Sequence, residues 1–286
     1  MAEATWTVLK VLQWTQQRFR ERGVASARLD AELLLGEILK LDRVALYTHH
    51  DQPLARPELA AFRALIQRRL AGEPVAYLVG RKEFFSLSLR VDGRVLIPRP
   101  ETEGVVEAVL AQLAGVASPR VADIGTGSGA IAIAVAHERP DARVVAIDRS
   151  ADALAVAREN VAAHGVVVEL LEGDLLAPLA AAGVAPPYDA IASNPPYIRD
   201  QDFASLPPEV RREPRGALLA GADGLSVLRR LIDGAPPLLA DGGALILEIG
   251  AGQAEAVTAL ARAAGYGEVR VRRDLAGIER VVILRR

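Results

Sequence analysis

Cysteine is absent from this sequence of 286 residues, which excludes disulfide bonds, thiolate metal ligands and a cysteine nucleophile. No apolar run approaches the roughly 18 residues that a membrane-spanning helix needs, and residues 1–10 lack the apolar segment of a signal peptide. The formal net charge of -2 provides no general basic field for phosphates, although Arg211, Arg212 and Arg215 form a local basic group. We therefore expect a cytoplasmic monomer with no membrane partner and no stable nucleic-acid partner.

At about 150 residues per domain, the chain's length of 286 residues suggests two domains, with one large domain as the alternative. Its 51% hydrophobic and 24% charged residues are typical of globular proteins. Only helical patterns occur in the first quarter: an apolar segment that includes Trp14 stops at Gly23, Ser26 can cap a second helix, and Pro57 lies in the first turn of a later one. This pattern predicts a helical domain over residues 1–80.

Alternation replaces the helical period in the next segment, where polar residues separate the apolar Phe85, Leu87, Leu89 and Val91. The pair Asp92-Gly93 follows, and Asp-Gly is a strong signal for a two-residue hairpin turn because both residues tolerate a positive φ. We expect a β-hairpin connector over residues 81–100, with its turn at Asp92-Gly93.

Strand and helix patterns alternate from about residue 120 onward, as they do in doubly wound sheets. The last two apolar runs are joined by a few residues around Gly277, too few for a crossover helix, so these two strands must be antiparallel. We expect an α/β fold over residues 101–286. Its sheet is mostly parallel with an antiparallel last strand, and the strands are Val121–Ile124, Val144–Ile147, Val166–Leu171, Ala190–Ala192, Ala244–Ile249, Val269–Arg272 and Val281–Leu284.

A glycine-rich loop, Asp123-Ile-Gly125-Thr126-Gly127-Ser128-Gly129, lies between the first strand and the first helix of this region. Such glycines let the backbone approach a ligand, although a tight turn without a ligand is the alternative. The spacing G-x-G-x-G differs from the G-x-G-x-x-G of pyrophosphate sites. A carboxylate about 4 Å from a pyrophosphate charge would be repelled by roughly 4 kcal/mol at an effective dielectric of about 20, whereas S-adenosylmethionine carries an ammonium and a sulfonium. We therefore expect this cofactor, with Asp123 near its cationic groups or, alternatively, capping the turn.

Two further acidic residues follow strands of the same predicted sheet. Asp148 comes about 20 residues after the glycines, where a carboxylate commonly accepts hydrogen bonds from ribose hydroxyls. A helix cap beside Ser150 is the alternative role. Asp174 ends the third strand, on the side of the crevice that the adenine would occupy, although an ordinary loop aspartate also fits this position.

The most specific motif is Asn194-Pro195-Pro196-Tyr197, at the carboxyl end of the fourth strand. A rigid strand terminator is the alternative explanation for the two prolines. An acceptor NH2 group has two protons, and the Asn194 Oδ1 and the Pro195 carbonyl can accept both, while Tyr197 stacks on a flat group. Because the prolines stiffen the backbone, these acceptors are held in place before the reaction, where electrostatic stabilisation is most effective.

Other polar residues carry weaker signals. The four histidines are scattered over predicted helices and their ends, so we expect no metal site. The segment Pro98–Glu103 is typical of a helix start capped by Thr102, and equally of a functional segment. For Glu213, Arg215 and Asp223 we expect surface ion pairs rather than catalytic roles.

Taken together, these motifs resemble those of the peptide chain release factor N5-glutamine methyltransferases (HemK/PrmC type), from the N-terminal helices to the last strand. Few families share the whole set, which comprises Glu73-Pro74-Val75-Ala76-Tyr77-Leu78, Glu83-Phe84, Val95–Glu103, the glycine loop, Asn194–Tyr197, Glu213-Pro214-Arg215, Asp223-Gly224-Leu225, Leu247-Glu248-Ile249-Gly250 and Asp274-Leu275-Ala276-Gly277.

The resemblance implies a Rossmann-like class I methyltransferase sheet, with the helical domain recognising the protein substrate. It implies N5-methylation of the glutamine in the Gly-Gly-Gln loop of class-one release factors, with S-adenosylmethionine as donor and S-adenosylhomocysteine as product. The cofactor is then expected on Asp123, Gly125–Gly129, Asp148, Asp174, Leu175 and Asn194. The substrate is expected on Arg99 and Asn194–Tyr197, with Asn194, Pro195 and Tyr197 catalytic. Leu175 departs from relatives that place an aromatic ring against the adenine.

The residues also leave other functions open. The Asn-Pro-Pro-Tyr chemistry suits any planar NH2 group, including a ribosomal-protein glutamine or an exocyclic amino group of a nucleic-acid base. The Pro98–Glu103 segment and the absence of a basic recognition domain argue against both. The glycine spacing and Asp123 disfavour a nucleotide-binding oxidoreductase, and a non-catalytic binding module that kept the fold is the third alternative.

Overall fold

The computed structural model describes residues 6–286, apart from the side chains of residues 180 and 181. Residues 1–5, which belong to the expected helical domain and to the segment examined for a signal peptide, lie outside the described residues. The chain divides into two units: residues up to 80 with 207–212, and residues 81–206 with 213–286. Residues 207–212 fall within the range 101–286 of the sequence analysis, but they pack with the first unit.

The first unit consists of helices around a core of its own, built from side chains such as Leu12, Leu34 and Phe62. A buried ion pair joins two of the helices, with Arg69 Nε 2.6 Å from Asp30 Oδ2. The helices are α1 (Val8–Glu21), α2 (Ala27–Leu39), α3 (Arg43–Thr48), α4 (Arg56–Leu70) and α5 (Val75–Val79), and the short 3-10 helix Val210–Arg212 also belongs to this unit.

One expectation for this unit, the capping role of Ser26, was wrong. Ser26 precedes α2 but accepts no capping hydrogen bond, because its hydroxyl instead donates to Asp30 Oδ1 at 2.7 Å. Trp14, within the predicted helical segment, has half of its surface exposed, and its ring makes an edge contact with Trp6.

The second unit begins with an antiparallel hairpin of β1 (Arg81–Phe84) and β2 (Leu87–Arg90). Its turn lies at Phe85-Ser86, which adopt φ values of 49° and 61°, and not at Asp92-Gly93 as expected. The expectation followed local turn chemistry, but burial decides the register, because Phe84, Leu87 and Leu89 all enter the core. Asp92 instead organises a later turn, in which its Oδ1 accepts a hydrogen bond from the Arg94 amide at 3.1 Å.

A seven-stranded sheet forms the centre of the second unit, in the order β5-β4-β3-β6-β7-β9-β8. The expected fold class is confirmed: β9 runs antiparallel to both of its neighbours, and the other pairs are parallel. The strands are β3 (Arg120–Ile124), β4 (Arg143–Asp148), β5 (Val168–Glu172), β6 (Tyr188–Ser193), β7 (Leu239–Glu248), β8 (Glu268–Arg273) and β9 (Glu279–Arg285).

Helices cover both faces of this sheet, and each face has its own buried cluster. One face packs against α6 (Glu103–Gln112), α7 (Ala130–Glu138) and α8 (Ala151–His164). The other packs against α9 (Ser226–Gly234) and α10 (Ala254–Ala263). The central strands β3, β4 and β6 are largely buried on both sides, as their apolar runs predicted, because a sheet covered on both faces exposes neither row of side chains to water. The edge strand β8 is largely exposed.

Candidate functional site

Two adjacent strands carry the two main motifs to the same edge of the sheet. β3 and β6 pair in parallel, with Asp123 opposite Ala192, so their carboxyl ends lie side by side. The glycine loop follows β3, and Asn194 follows β6. The chain leaves β3 toward β4 on one side and later returns to β6 on the other, and ligands bind in the crevice at such a switch point.

A cavity of about 290 Å³ opens at this edge. Its lining includes seven of the predicted site residues, namely Gly125, Gly127, Asp148, Asp174, Leu175, Asn194 and Pro196. It also includes residues that the sequence analysis did not assign to the site, among them Arg94, Leu96, Arg149, Leu219, Val227 and Arg230. Of these six, Leu96 falls in the Val95–Glu103 segment that carries part of the resemblance, and no local pattern marks the other five, which come from separate loops and a helix that only the folded chain brings together.

The glycine loop presents bare backbone to this cavity. Gly125 and Gly127 have φ values of 74° and 57°, and a Cβ built on either meets no atom within 4 Å. Gly129 serves packing instead, because a Cβ there would lie 2.8 Å from the Ile133 side chain at the start of α7. The side chains of Thr126 and Ser128 are buried beneath the loop and do not line the cavity. The five predicted loop residues therefore divide into two that face the cavity and three that support them.

Asp123 lies beneath the loop and is fully buried. Its Oδ2 accepts hydrogen bonds from the Thr126 hydroxyl at 2.6 Å and from the Ala132 amide at 3.2 Å. Its Oδ1 is buried and has no hydrogen-bond partner among the described residues. Burial raises the pKa of Asp123 to about 7, because the two hydrogen bonds only partly offset the loss of hydration. This carboxyl group does not line the cavity, and its visible contacts hold the loop against α7.

Asp148 lines the cavity at the end of β4. Its Oδ2 accepts from the Gly127 amide and its Oδ1 from the Ser150 amide, both at 2.9 Å. Ser150 itself caps α8 by accepting from the Ala153 amide at 3.2 Å, so the helix does not require Asp148 as its cap. A carboxylate has about four lone-pair positions, and one on each oxygen remains for a ligand.

Asp174 and Leu175 also line the cavity. Asp174 Oδ2 is 2.5 Å from Arg230 Nη2, and this hydrogen bond holds the pKa of Asp174 below its usual range. Leu175 adopts a backbone φ of 51°, which is rare for residues that have a Cβ. Its side chain is half-buried and forms part of the cavity wall.

The Asn194-Pro195-Pro196-Tyr197 segment contributes Asn194 and Pro196 to the cavity wall. Asn194 Nδ2 donates to the Thr102 Oγ1 at 2.9 Å, and no described residue donates to its Oδ1. The Tyr197 hydroxyl lies 3.4 Å from Glu248 Oε1, and burial raises the pKa of Tyr197 to about 12. Pro195 and Tyr197 do not line the cavity, so the structure supports their placement beside it but not a direct ligand contact.

Thr102 and Glu248 contact this motif on the side away from the cavity lining, and neither was expected in the site. The Thr102 hydroxyl donates to Glu248 Oε2 at 2.5 Å, and both residues are buried. Burial raises the pKa of Glu248 to about 7. One sequence signal existed, because Glu248 is an acidic residue that directly follows the apolar run 244–247.

Arg99, the other expected substrate contact, pairs with Glu213 and does not line the cavity. The expectation of surface ion pairs was wrong for Glu213, which is buried and also accepts from the Ile97 amide at 3.0 Å. Asp223 does form an exposed pair with Arg229. The guanidinium of Arg215 instead lies 4.2 Å from the centre of the Phe203 ring.

Within residues 6–286, no three histidine or carboxylate side chains are grouped so that they could hold a metal ion. In the same part of the chain, no helix has the length and apolar character needed to cross a membrane.

Two family models match most of the length of this chain. Residues 10–80 match the family model of the PrmC N-terminal domain, and residues 105–206 match that of the methyltransferase small domain. A release factor glutamine methyltransferase from Geobacter sulfurreducens is 45% identical over 97% of this chain and 96% of its own. One from Bordetella pertussis is 49% identical over 89% of this chain and 93% of its own. The chain belongs to the release factor glutamine methyltransferase family.

Solved structures support the fold of this family member. The hMettl16 catalytic domain, solved in complex with MAT2A 3'UTR hairpin 1, has a TM-score of 0.59 at 16% identity, covering 80% of each chain. A methyltransferase from Pyrococcus furiosus has a TM-score of 0.50 at 18% identity, covering 78% of this chain and 96% of its own. Its family and fold identify the protein as a methyltransferase.

Proposed function

We propose that this methyltransferase transfers a methyl group from S-adenosylmethionine to the N5 amide nitrogen of the glutamine in the Gly-Gly-Gln loop of class-one peptide chain release factors. The observation that carries the proposal is the shared wall of one cavity, where the bare glycine backbone, the Asp148 carboxylate and the Asn194 amide meet. The names of its relatives, which refer to release factor glutamine, support the choice of substrate.

The residues of the cavity fit S-adenosylmethionine. A Cβ on Gly125 or Gly127 would project into open space, so their absence leaves room for a ligand close to the backbone. Asp148 has a free lone pair on each oxygen for the two ribose hydroxyls. Leu175 offers an apolar surface, rather than an aromatic ring, to the adenine.

Asp123, which was expected near the cationic groups of the cofactor, does not line the cavity. Because it is buried beneath the loop, we propose that it acts on the cationic end of the cofactor mainly through the position and electrostatics of the loop. Its Oδ1 has no hydrogen-bond partner among the described residues and is an available acceptor beneath the loop. Thr126, Ser128 and Gly129 then support binding by holding the loop, while Gly125 and Gly127 make the closest approach.

The acceptor nitrogen is positioned by Asn194 and Pro195. Asn194 Oδ1 accepts one amide proton from within the cavity wall. Pro195 lies beside the cavity rather than in its lining, so its carbonyl accepts the other proton only from a substrate amide that reaches past Asn194, while Pro196 and Tyr197 shape the adjacent surface. When bound, S-adenosylmethionine would supply an electrophilic methyl group: the carbon–nitrogen bond would form as the carbon–sulfur bond broke with its electron pair retained by sulfur, and one amide proton would leave to water. Preorganised acceptors favour this step because they draw both protons away from the delocalised amide plane.

We infer that the first unit recognises the release factor. It has its own core, and the cavity is lined by none of its described residues. Arg99 contributes to substrate binding through the segment that its pair with Glu213 holds, rather than as a wall of the cavity. We propose that the enzyme is a monomer and that it acts in the cytoplasm, where its release factor substrates act.

The test is mass spectrometry of a purified release factor after incubation with the enzyme and S-adenosylmethionine. We expect one added methyl group on the fragment that contains the Gly-Gly-Gln loop, and none on a release factor in which that glutamine is replaced by glutamate. Parallel incubations with ribosomal proteins and with RNA or DNA distinguish the alternative acceptors. Methylation of one of these, with an unmodified release factor, would contradict the proposal.

A further inference from the structure

Three side chains from separate elements form a connected hydrogen-bonded chain behind the cavity. Thr102 lies in the 3-10 turn Pro100–Thr102 before α6, Glu248 ends β7, and Asn194 follows β6. The parallel register of β6 and β7 pairs Ser193 with Leu247, so the next residue on each strand lies at the same level. Thr102 bridges them, donating to Glu248 Oε2 at 2.5 Å and accepting from Asn194 Nδ2 at 2.9 Å.

Among the described residues, the Thr102 hydroxyl has no hydrogen-bond partner besides Glu248 and Asn194. Thr102 occupies the N-cap position of α6, where a hydroxyl would ordinarily accept from the helix backbone, but its side chain makes no capping hydrogen bond. Only 3% of its surface is exposed, so water does not compete for the hydroxyl. Its one proton and its lone pairs are therefore committed to Glu248 and Asn194.

The direction of these hydrogen bonds follows from proton counting. An ionised carboxylate only accepts, so the single hydroxyl proton of Thr102 must point to Glu248. The hydroxyl oxygen can then only accept, and it requires a donor from Asn194, which is Nδ2. This leaves Asn194 Oδ1, rather than the NH2 group, free at the cavity. A flipped Asn194 amide would present two donors to an acceptor group that itself carries two protons.

We propose that Thr102 and Glu248 are positioning residues that fix the orientation of the Asn194 side-chain amide, so that its oxygen faces the methyl-accepting nitrogen. This inference rests on the proposed function for the identity of that nitrogen, but the orientation itself is a property of the free protein. Glu248 also lies 3.4 Å from the Tyr197 hydroxyl, so one carboxylate supports both ends of the Asn194–Tyr197 motif.

The protonation of Glu248 controls this orientation. The groups that face it are the Thr102 and Tyr197 hydroxyls, the Arg280 guanidinium, which favours the ionised form, and the Glu101 carboxylate, which opposes it. Burial outweighs Arg280 and raises the pKa of Glu248 to about 7. A protonated Glu248 can donate to Thr102, whose proton then turns to Asn194 and favours the flipped amide. The rate of methyl transfer should therefore rise with pH as Glu248 ionises.

The experiment compares Thr102→Val, which keeps the shape but removes the hydroxyl, with Thr102→Ser, which keeps the hydroxyl. We expect Thr102→Val to lower kcat on a Gly-Gly-Gln peptide by about tenfold to a hundredfold, as expected for a displaced positioning group, with little change in the Kd for S-adenosylmethionine. Thr102→Ser should restore most of the rate. The rise of kcat near neutral pH should disappear in Thr102→Val, because valine has no hydroxyl to connect Glu248 with Asn194. It should also disappear in Glu248→Gln, because glutamine cannot ionise.

A second readout needs no turnover. The side-chain NH2 resonances of Asn194 in nitrogen-15 NMR spectra of the full chain should shift as Glu248 titrates, and this shift should be absent in Thr102→Val. Equal kcat and equal resonances in the parent and Thr102→Val would overturn the inference while leaving the proposed function intact. If the parent itself fails to methylate the release factor, the proposed function fails, and the resonances still decide the orientation.

Discussion

Replacing Asn194 by alanine tests the proposed acceptor site most directly. The change removes Oδ1, one of the two oxygens proposed to accept the amide protons, and it also removes the Nδ2 donor to Thr102. Loss of one preorganised hydrogen bond to a transition state typically costs a hundredfold to a thousandfold in turnover, or about 2.7 to 4 kcal/mol. We therefore expect kcat on a Gly-Gly-Gln peptide to fall by about that factor.

Folding should survive this substitution. The lost hydrogen bond leaves the Thr102 oxygen without its donor, which costs about 1 kcal/mol of stability on the usual scale for one hydrogen bond. Thr102 can still donate to Glu248, so the remaining contact behind the cavity is kept. Denaturant unfolding of the parent and the Asn194→Ala protein checks this, and calorimetry with S-adenosylmethionine checks that the cofactor still binds.

Asn194→Asp keeps the size of the side chain but changes its charge and removes its hydrogen-bond donor. Aspartate keeps the size and an acceptor, but it has no donor for Thr102, whose proton is already directed to Glu248. Two acceptors then face one hydroxyl oxygen, and we expect partial activity at most. The assay is single-turnover methyl transfer to the peptide, followed by mass spectrometry.

A parent-like rate for Asn194→Ala, with normal cofactor binding, would show that Tyr197 or the backbone alone positions the nitrogen.

Three further predictions concern the cofactor site, the first unit and stability. Asp148→Ala should weaken binding of S-adenosylmethionine by about 1 to 3 kcal/mol in calorimetry. Asp141→Ala is the control, because Asp141 also accepts a backbone hydrogen bond but does not line the cavity, and it should leave the affinity unchanged. Unchanged affinity in a folded Asp148→Ala protein would remove the ribose assignment. A chain that begins at Gly80 should bind the cofactor yet lose activity on intact release factor, and full activity of the folded, shortened protein would contradict the role of the first unit. Asp123 has a raised pKa of about 7, so the stability from its protonated form is complete below pH about 4 and is lost as pH rises through about 7. Asp123→Asn should therefore flatten this decline of the unfolding free energy in denaturant titrations between about pH 5 and pH 8, and an unchanged slope would show that Asp123 does not titrate there.

Much of the fold is determined by patterns that are local in the sequence. Apolar runs such as Val144–Ile147, bounded by turns and separated by helical segments, predict buried parallel strands because both faces of each strand must be covered. The short connection around Gly277 predicts the antiparallel pair, since no crossover helix fits it. The same reasoning places Gly125, Asp148 and Asn194 at one edge, because the carboxyl ends of parallel strands meet there.

Contacts between distant residues are decided only by the tertiary structure. Thr102 meets Asn194 across 92 positions and Glu248 across 146, and no local pattern announces either hydrogen bond. Arg99 and Glu213 pair across 114 positions, which turned an expected surface charge into a buried one. A sequence states which side chains can donate or accept, but the partner, the burial and hence the pKa depend on which strands become neighbours.

The hairpin shows the same division within a few residues. Asp92-Gly93 has the better local turn chemistry, yet Phe85-Ser86 forms the turn because that register buries Phe84, Leu87 and Leu89 together. Burial of three large apolar side chains is worth several kcal/mol, at about 1.5 to 3 kcal/mol each, and exceeds the cost of two residues with positive φ. The sequence by itself determined that a hairpin and a doubly wound sheet form. The packing of the core, which sums contributions from the whole chain, decided the register, the turn and the partners of each polar group.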